Sequence, residues 1–144
     1  MLTTEEKDGL LRGISYAQVF VNTCFQALEN GAYLSSKGIM SWNPEKQNKA
    51  WLWSCRFWVA HVGLDFWRLY HEYQIRRSKV DAVEEKEDKK WLANWRKEML
   101  VNTGFAPLTL HWSLENGLLG DFGVGVCGSV AAISSLRVLW KAAK

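Results

Sequence analysis

From Phe122 to Leu136 the chain carries fifteen residues without a charged side chain, and they are glycine, alanine, serine and branched aliphatic residues, with one cysteine and, at the start, one phenylalanine. Such a stretch lets two backbones approach closely, so it belongs in a packed helix rather than on a solvated face. Crossing a hydrocarbon core of ~30 Å takes about 20 mainly apolar residues, more than this run supplies. Taken from Leu118 to Trp140 the helix is long enough, with Asp121 and Arg137 near its ends, where charged heads reach the interface. Trp112 and Trp140 then sit at headgroup depth. Gly125 with Ser129, Gly128 with Ala132 and Ala131 with Ser135 are spaced as small residues are in tightly packed membrane helices. We take Gly125, Gly128, Ser129, Ala132 and Ser135 as a candidate helix-packing face. The same stretch also fits a buried helix in a soluble α-helical core.

A second constraint lies upstream. Asn43-Pro44-Glu45 reads as a helix start, with an asparagine cap, proline at the first helical position and an acid in the first turn. The helix that follows, 44–78, is rich in tryptophan and apolar on most of its circumference. Against that background Gln47, Ser54, His61, Asp65, Arg68 and Glu72 recur at helical spacing and form one narrow polar stripe. Asp65 and Arg68, and Arg68 and Glu72, are in reach of one another. An unpaired charge at mid-membrane costs at least about 2.5 kcal/mol, so the stripe has to face protein or water. Ser54, His61, Asp65, Arg68 and Glu72 are the candidate polar site, and Trp51, Trp112 and Trp140 the candidate membrane-interface aromatics.

Before this helix, Leu10, Ile14, Ala17, Val21, Cys24 and Leu28 mark one face of an amphipathic helix in 4–40, started by a capping box at Thr3 and Glu6 and ended or bent at Gly31 or Gly38. After it, 79–103 is a charged connector that becomes helical by Glu84, with Trp91, Leu92, Trp95 and Met99 on one edge. Glycine and proline at Asn102-Thr103-Gly104 and Ala106-Pro107 read as a break, followed by glycine-rich C-terminal helices in 108–141. The fold class expected is all-α: a membrane-associated bundle of about four to five helices in a single domain, 1–144.

Composition removes several function classes. A net charge of +3 and no basic block with interleaved aromatics give no nucleic-acid partner. The slightly negative mean hydropathy excludes a polytopic transporter. Three scattered cysteines without a CxxC suit core packing in a reducing compartment. His61 with Asp65 and His111 with Glu115 are ligand-like pairs, but a metal site needs three or four converging ligands, so no metal and no other cofactor is expected. There is no nucleophile elbow or P-loop, and Gly123, Gly125 and Gly128 form a GxGxxG without a preceding strand. No catalytic residue and no enzymatic activity are expected.

Three segments in order resemble a known family. ALENGAYLSSKGIM, NPEKQNKAWLWSCRFWVAHVGLDFWRLYHEY and HWSLENGLLGDFGVGVCGSVAAISSLRVLW, the last with its Gly-Val-Gly-x-x-Gly before Ile-Ser-Ser, resemble the peroxisomal biogenesis factor 11 family over about Gly13 to Lys141. The resemblance implies a peroxisomal membrane protein that elongates the membrane, promotes proliferation and fission, binds lipid, assembles with itself as a homo-oligomer and engages fission machinery. It begins where the family's second half begins, so the family's N-terminal remodelling helix is expected to be missing, or Leu10 to Leu28 takes part of its role. Two other readings stay open: a metabolite pore lined by the polar stripe, and a soluble helical interaction module. If Trp51–Tyr70 and Leu118–Trp140 both span, the basic connector falls opposite the termini, against the positive-inside rule; a partly embedded bundle removes that conflict.

Overall fold

The computed structural model describes residues 8–78 and 85–142, and these form four α-helices and no strand. We number them α1 (Gly9–Ser36), α2 (Pro44–Arg77), α3 (Glu85–Ser113) and α4 (Asp121–Ala142). The capping box expected at Thr3 and Glu6 lies outside the described residues. Asp8 is the N-cap of α1, accepting from the backbone of Leu10 at 2.8 Å and Leu11 at 3.2 Å. Its other carboxylate oxygen lies 3.1 Å from Nε2 of His71, near the far end of α2. The backbone donor of Leu11, with His71 adding to it, holds the Asp8 carboxyl below its ordinary value.

α1 runs through Gly31, against which the Trp42 ring packs, and stops at Ser36. Gly38 then takes φ 74°, a left-handed turn open to glycine at little cost, and the Ile39 N–H returns to the Leu34 carbonyl at 3.0 Å. α2 is capped by Asn43, whose side chain accepts from Lys46 N–H at 2.8 Å, with Pro44 opening the helix where its missing N–H costs nothing.

Each helix runs antiparallel to the one before. Gln18 meets Asp65 while Phe25 meets Trp58; Leu69 meets Trp95 while Trp58 meets Phe105; Gly104 meets Ala131 while Leu108 meets Gly128. The packing is serial: α1 on α2, α2 on α3, α3 on α4, with no comparable contact between other pairs. The buried apolar side chains among the described residues are correspondingly few: Leu11, Ile14, Ala32, Ala50, Val62, Leu69, Leu108 and Ala131.

Two expectations are corrected here. The break at Asn102–Pro107 does not occur, because α3 continues through it to Ser113, and the separate short helix after Pro107 is its last two turns. Proline inside a helix costs ~3 kcal/mol or more. Against that cost stand the burial of Leu108 and Thr109 immediately after it and the Phe105 ring on Trp58 at 5.7 Å. Gly104 is a contact rather than a breaker. A β-carbon there would lie 3.0 Å from the Ala131 nitrogen and 3.1 Å from its methyl, so α3 and α4 touch through glycine on alanine. The glycines of the GxGxxG, for their part, all lie inside α4 and form no phosphate-binding loop.

Gly104→Ala is expected to destabilise the chain by about 1–3 kcal/mol through overpacking. Urea unfolding together with hydrogen exchange of α4 amides would check this, and unchanged exchange in α4 would contradict the seam's role.

Candidate functional site

The polar stripe of α2 divides in the folded chain. Asp65, Arg68 and Glu72 come together in a network that joins three helices. Arg68 donates from Nε to Asp65 at 3.0 Å, from Nη1 to Glu72 at 2.8 Å and from Nη2 to Glu98 of α3 at 2.7 Å. Asp65 also accepts from Gln18 of α1 at 2.8 Å and from Asn102 of α3 at 3.0 Å. The Arg68 side chain is only 17% exposed, so its guanidinium exchanges water for three carboxylates.

The electrostatics follow. Burial by itself raises the Asp65 pKa, but the hydrogen bonds from Asn102 and Gln18 and the charge of Arg68 outweigh it, and the carboxyl lies below its ordinary value. Burial works against the Arg68 charge too, and Glu98, Asp65 and Glu72 outweigh that, leaving its pKa raised.

Ser54 and His61 do not join this network. Ser54 is buried and its hydroxyl returns to the Trp51 carbonyl at 2.7 Å on its own helix. His61 buries Nδ1 without a hydrogen-bond partner. His111 is a loop brace: its Nδ1 accepts from Leu118 and Leu119 N–H at 2.9 and 3.0 Å and so fixes the turn before α4. Among the described residues no group of three or more His, Cys, Asp or Glu is arranged to hold a metal ion.

Sequence reasoning missed Gln18, Glu98 and Asn102. Asn102, which reads in the sequence as part of a break, is a buried hydrogen-bond donor. It also missed Trp58, which contacts Phe25 of α1 at 6.0 Å and Phe105 and Trp112 of α3 at 5.7 and 5.8 Å. Trp58 stands two turns from Asp65, so α2 clamps both neighbours twice along one side.

The candidate packing face of α4 also divides. Gly128 and Ser135 lie on the half-buried side with Ala131, where Gly128 faces Leu108 across the seam. Gly125, Ser129 and Ala132 are exposed and so lie on a different side of α4 from Gly128. The reason is angular: Gly104 meets Ala131, and residues on the far side of Ala131 turn away from α3. The exposed side also carries Phe122, Val126, Val130, Ile133, Leu136 and Trp140, with Phe122 87% and Trp140 67% exposed. A groove of about 640 Å³ runs along it between Leu100 and Ile133. α1 exposes Tyr16, Val19 and Phe20, and α2 exposes Trp53, Trp67 and Tyr70.

The three candidate interface tryptophans occupy different settings. Trp112 is exposed at the end of α3 and stacks on Trp58 at 15°. Trp51 is half buried beside a cavity it shares with Trp58 and Trp112. Trp140 is at the other end of the α3–α4 hairpin. No described helix is long and apolar enough to cross a membrane, and neither Trp51–Tyr70 nor Leu118–Trp140 meets that requirement among the described residues. In α2 the reason is the charge carried by Arg56, Asp65, Arg68 and Glu72.

The chain is similar to an uncharacterized protein of Schizosaccharomyces pombe, 34% identical over 126 residues, covering 87% of this chain and 58% of that protein. It thus spans less than two thirds of the length of this curated relative. No family profile and no solved structure matches it.

Asp65→Asn is expected to lower stability near neutrality by about 1–3 kcal/mol. Because the Asp65 pKa is depressed in the folded chain, its stabilisation is present above the unfolded value of 3.8 and disappears as pH falls through the lower folded value. Urea titrations near neutrality and at about pH 3 should show a smaller acid loss in Asp65→Asn than in wild type. Equal losses would remove Asp65 from the account.

Proposed function

We propose that this chain is a peroxisomal membrane protein that promotes membrane elongation, proliferation and fission by laying apolar helical faces into the bilayer surface and assembling with itself. The observation that carries the membrane part is the inverted placement of its side chains. Charged and amide groups of α1, α2 and α3 converge inward on Asp65 and Arg68, while phenylalanine, tryptophan and branched residues of α1, α2 and α4 face outward. Large apolar side chains exposed in such number mark faces that meet lipid or protein. A helix lying in the interface needs an apolar face and no spanning length, which suits α4. The peroxisomal assignment rests on the ordered resemblance of three segments from Gly13 to Lys141.

Action by shape is favoured over a pore. Asp65 and Arg68 are consumed by contacts between helices, Glu72 by Arg68 on its own helix, and Ser54 is turned back on its own backbone, so these four residues offer no free polar lining. Self-assembly is assigned to the exposed side of α4, at Gly125, Ser129 and Ala132, because Gly128 is already occupied by α3.

Flotation with vesicles containing anionic lipid should recover the wild-type chain with the membrane. A Phe122→Ser, Ile133→Ser, Trp140→Ser variant should lose most of that binding while keeping its helical circular dichroism. A fluorescent fusion should coincide with a peroxisomal marker. Wild-type protein that stays in the aqueous fraction would refute the membrane reading in favour of a soluble interaction module, and a diffuse fusion would refute the peroxisomal one. For self-assembly, Ser129→Leu is expected to alter crosslinking on membranes without altering the monomer fold; identical crosslinking would place the contact elsewhere.

A further inference from the structure

Where the second half of α1, the first turns of α2 and the end of α3 meet, the chain encloses a partly open cavity of about 710 Å³. This is within the range of small-molecule sites. Its walls are aromatic: Trp51 and Trp58 come from α2 and Trp112 from α3, with Trp58 and Trp112 stacked at 5.8 Å. Its charge is acidic. Glu29 and Glu115 line it without an ion pair among the described residues, and the third carboxylate, Glu45, is held by Lys49 at 2.6 Å. Three carboxylates against one ammonium, in a chain whose net charge is +3, make this a local reversal of sign. Arg56, the nearest arginine in sequence, is not among the lining residues; it lies over Trp53 and donates to the Ser113 carbonyl.

We infer that this cavity is a binding site for a quaternary ammonium group. Indole faces attract a cation through the ring quadrupole, most strongly when water is displaced, and the two unpaired carboxylates supply the opposite charge at longer range. The aromatic walls favour a quaternary over a primary ammonium, because a primary ammonium carries three N–H donors that ring faces satisfy poorly. A trimethylammonium group donates nothing and lays its methyls on the rings. The chemistry is shared by free choline-type solutes and by the headgroup of a choline phospholipid. The inference stands on the cavity and is independent of the membrane reading.

The test is calorimetric titration of the full chain with choline, with its neutral carbon isostere dimethylbutanol as the parallel ligand. Choline is expected to bind, and the isostere to bind at least tenfold more weakly. A Glu29→Gln, Glu115→Gln variant and, separately, Trp112→Leu are expected to weaken choline binding about tenfold. Trp112 is exposed at the rim, and retained helical circular dichroism and urea midpoint would establish that the variants fold. Phosphatidylcholine and phosphatidylglycerol vesicles distinguish the source: flotation with the former that free choline competes away assigns the headgroup, while choline binding unaffected by either vesicle assigns a free solute. Absence of choline binding, equal affinity for the isostere, or folded variants that bind choline as wild type does would each overturn the inference.

Discussion

One ion pair, Asp65 with Arg68, ties the first three helices together. Arg68 can leave water only because Asp65, Glu72 and Glu98 all present oxygen to it, and Asp65 can remain ionised in a half-buried position only because Gln18 and Asn102 complete its coordination. Removing one member leaves the others desolvated and short of partners, so the group acts as a unit. It also fixes register. A shift of α1 or α3 by one residue along α2 would carry Gln18 or Asn102 about 100° around its helix axis and off the carboxylate.

Around that centre the usual polarity of a small helical protein is partly reversed. The serial packing of four helices buries each mainly against its sequence neighbours, and eight buried apolar side chains are a thin core for the described residues. The aromatic contacts centred on Trp58 supply much of the remaining adhesion, since large rings bury extensive area and add an orientation preference. The outer faces keep residues that a closed bundle would have placed inside. On the proposed reading, lipid or a second copy of the chain completes such a surface.

Much of this was legible in the residues. The Asn43 cap, the proline at the first position of α2, the narrow polar stripe and the pairing of Asp65, Arg68 and Glu72 all follow from helical spacing, which is local and survives any tertiary arrangement. The all-α class was legible for the same reason. What was not legible depends on contacts distant in sequence. Asn102, Gly104 and Pro107 carry strong turn propensities, and only the presence of Asp65, Ala131 and Trp58 across the interfaces turns that segment into continuous helix. Likewise the glycines and serines of α4 are small at every position, so their spacing could not say which of them meets α3. The apolar character of α2 and α4 was legible, but whether it faced a core, a membrane or open surface was a question of neighbours.

The glycine-on-alanine seam of α3 and α4 has a thermodynamic consequence. α4 is held chiefly by that seam and by the turn that His111 braces, with no comparable contact to α1 or α2. Its release therefore need not disturb the Arg68 centre, and the chain has two levels of cooperativity: a global one set by the first three helices and a smaller one for sub-global opening of the last. Any surface that offers α4 a better apolar environment than Leu108 and Gly104 competes against the smaller of these. The terminal helix can thus change partners while the remainder keeps its native arrangement.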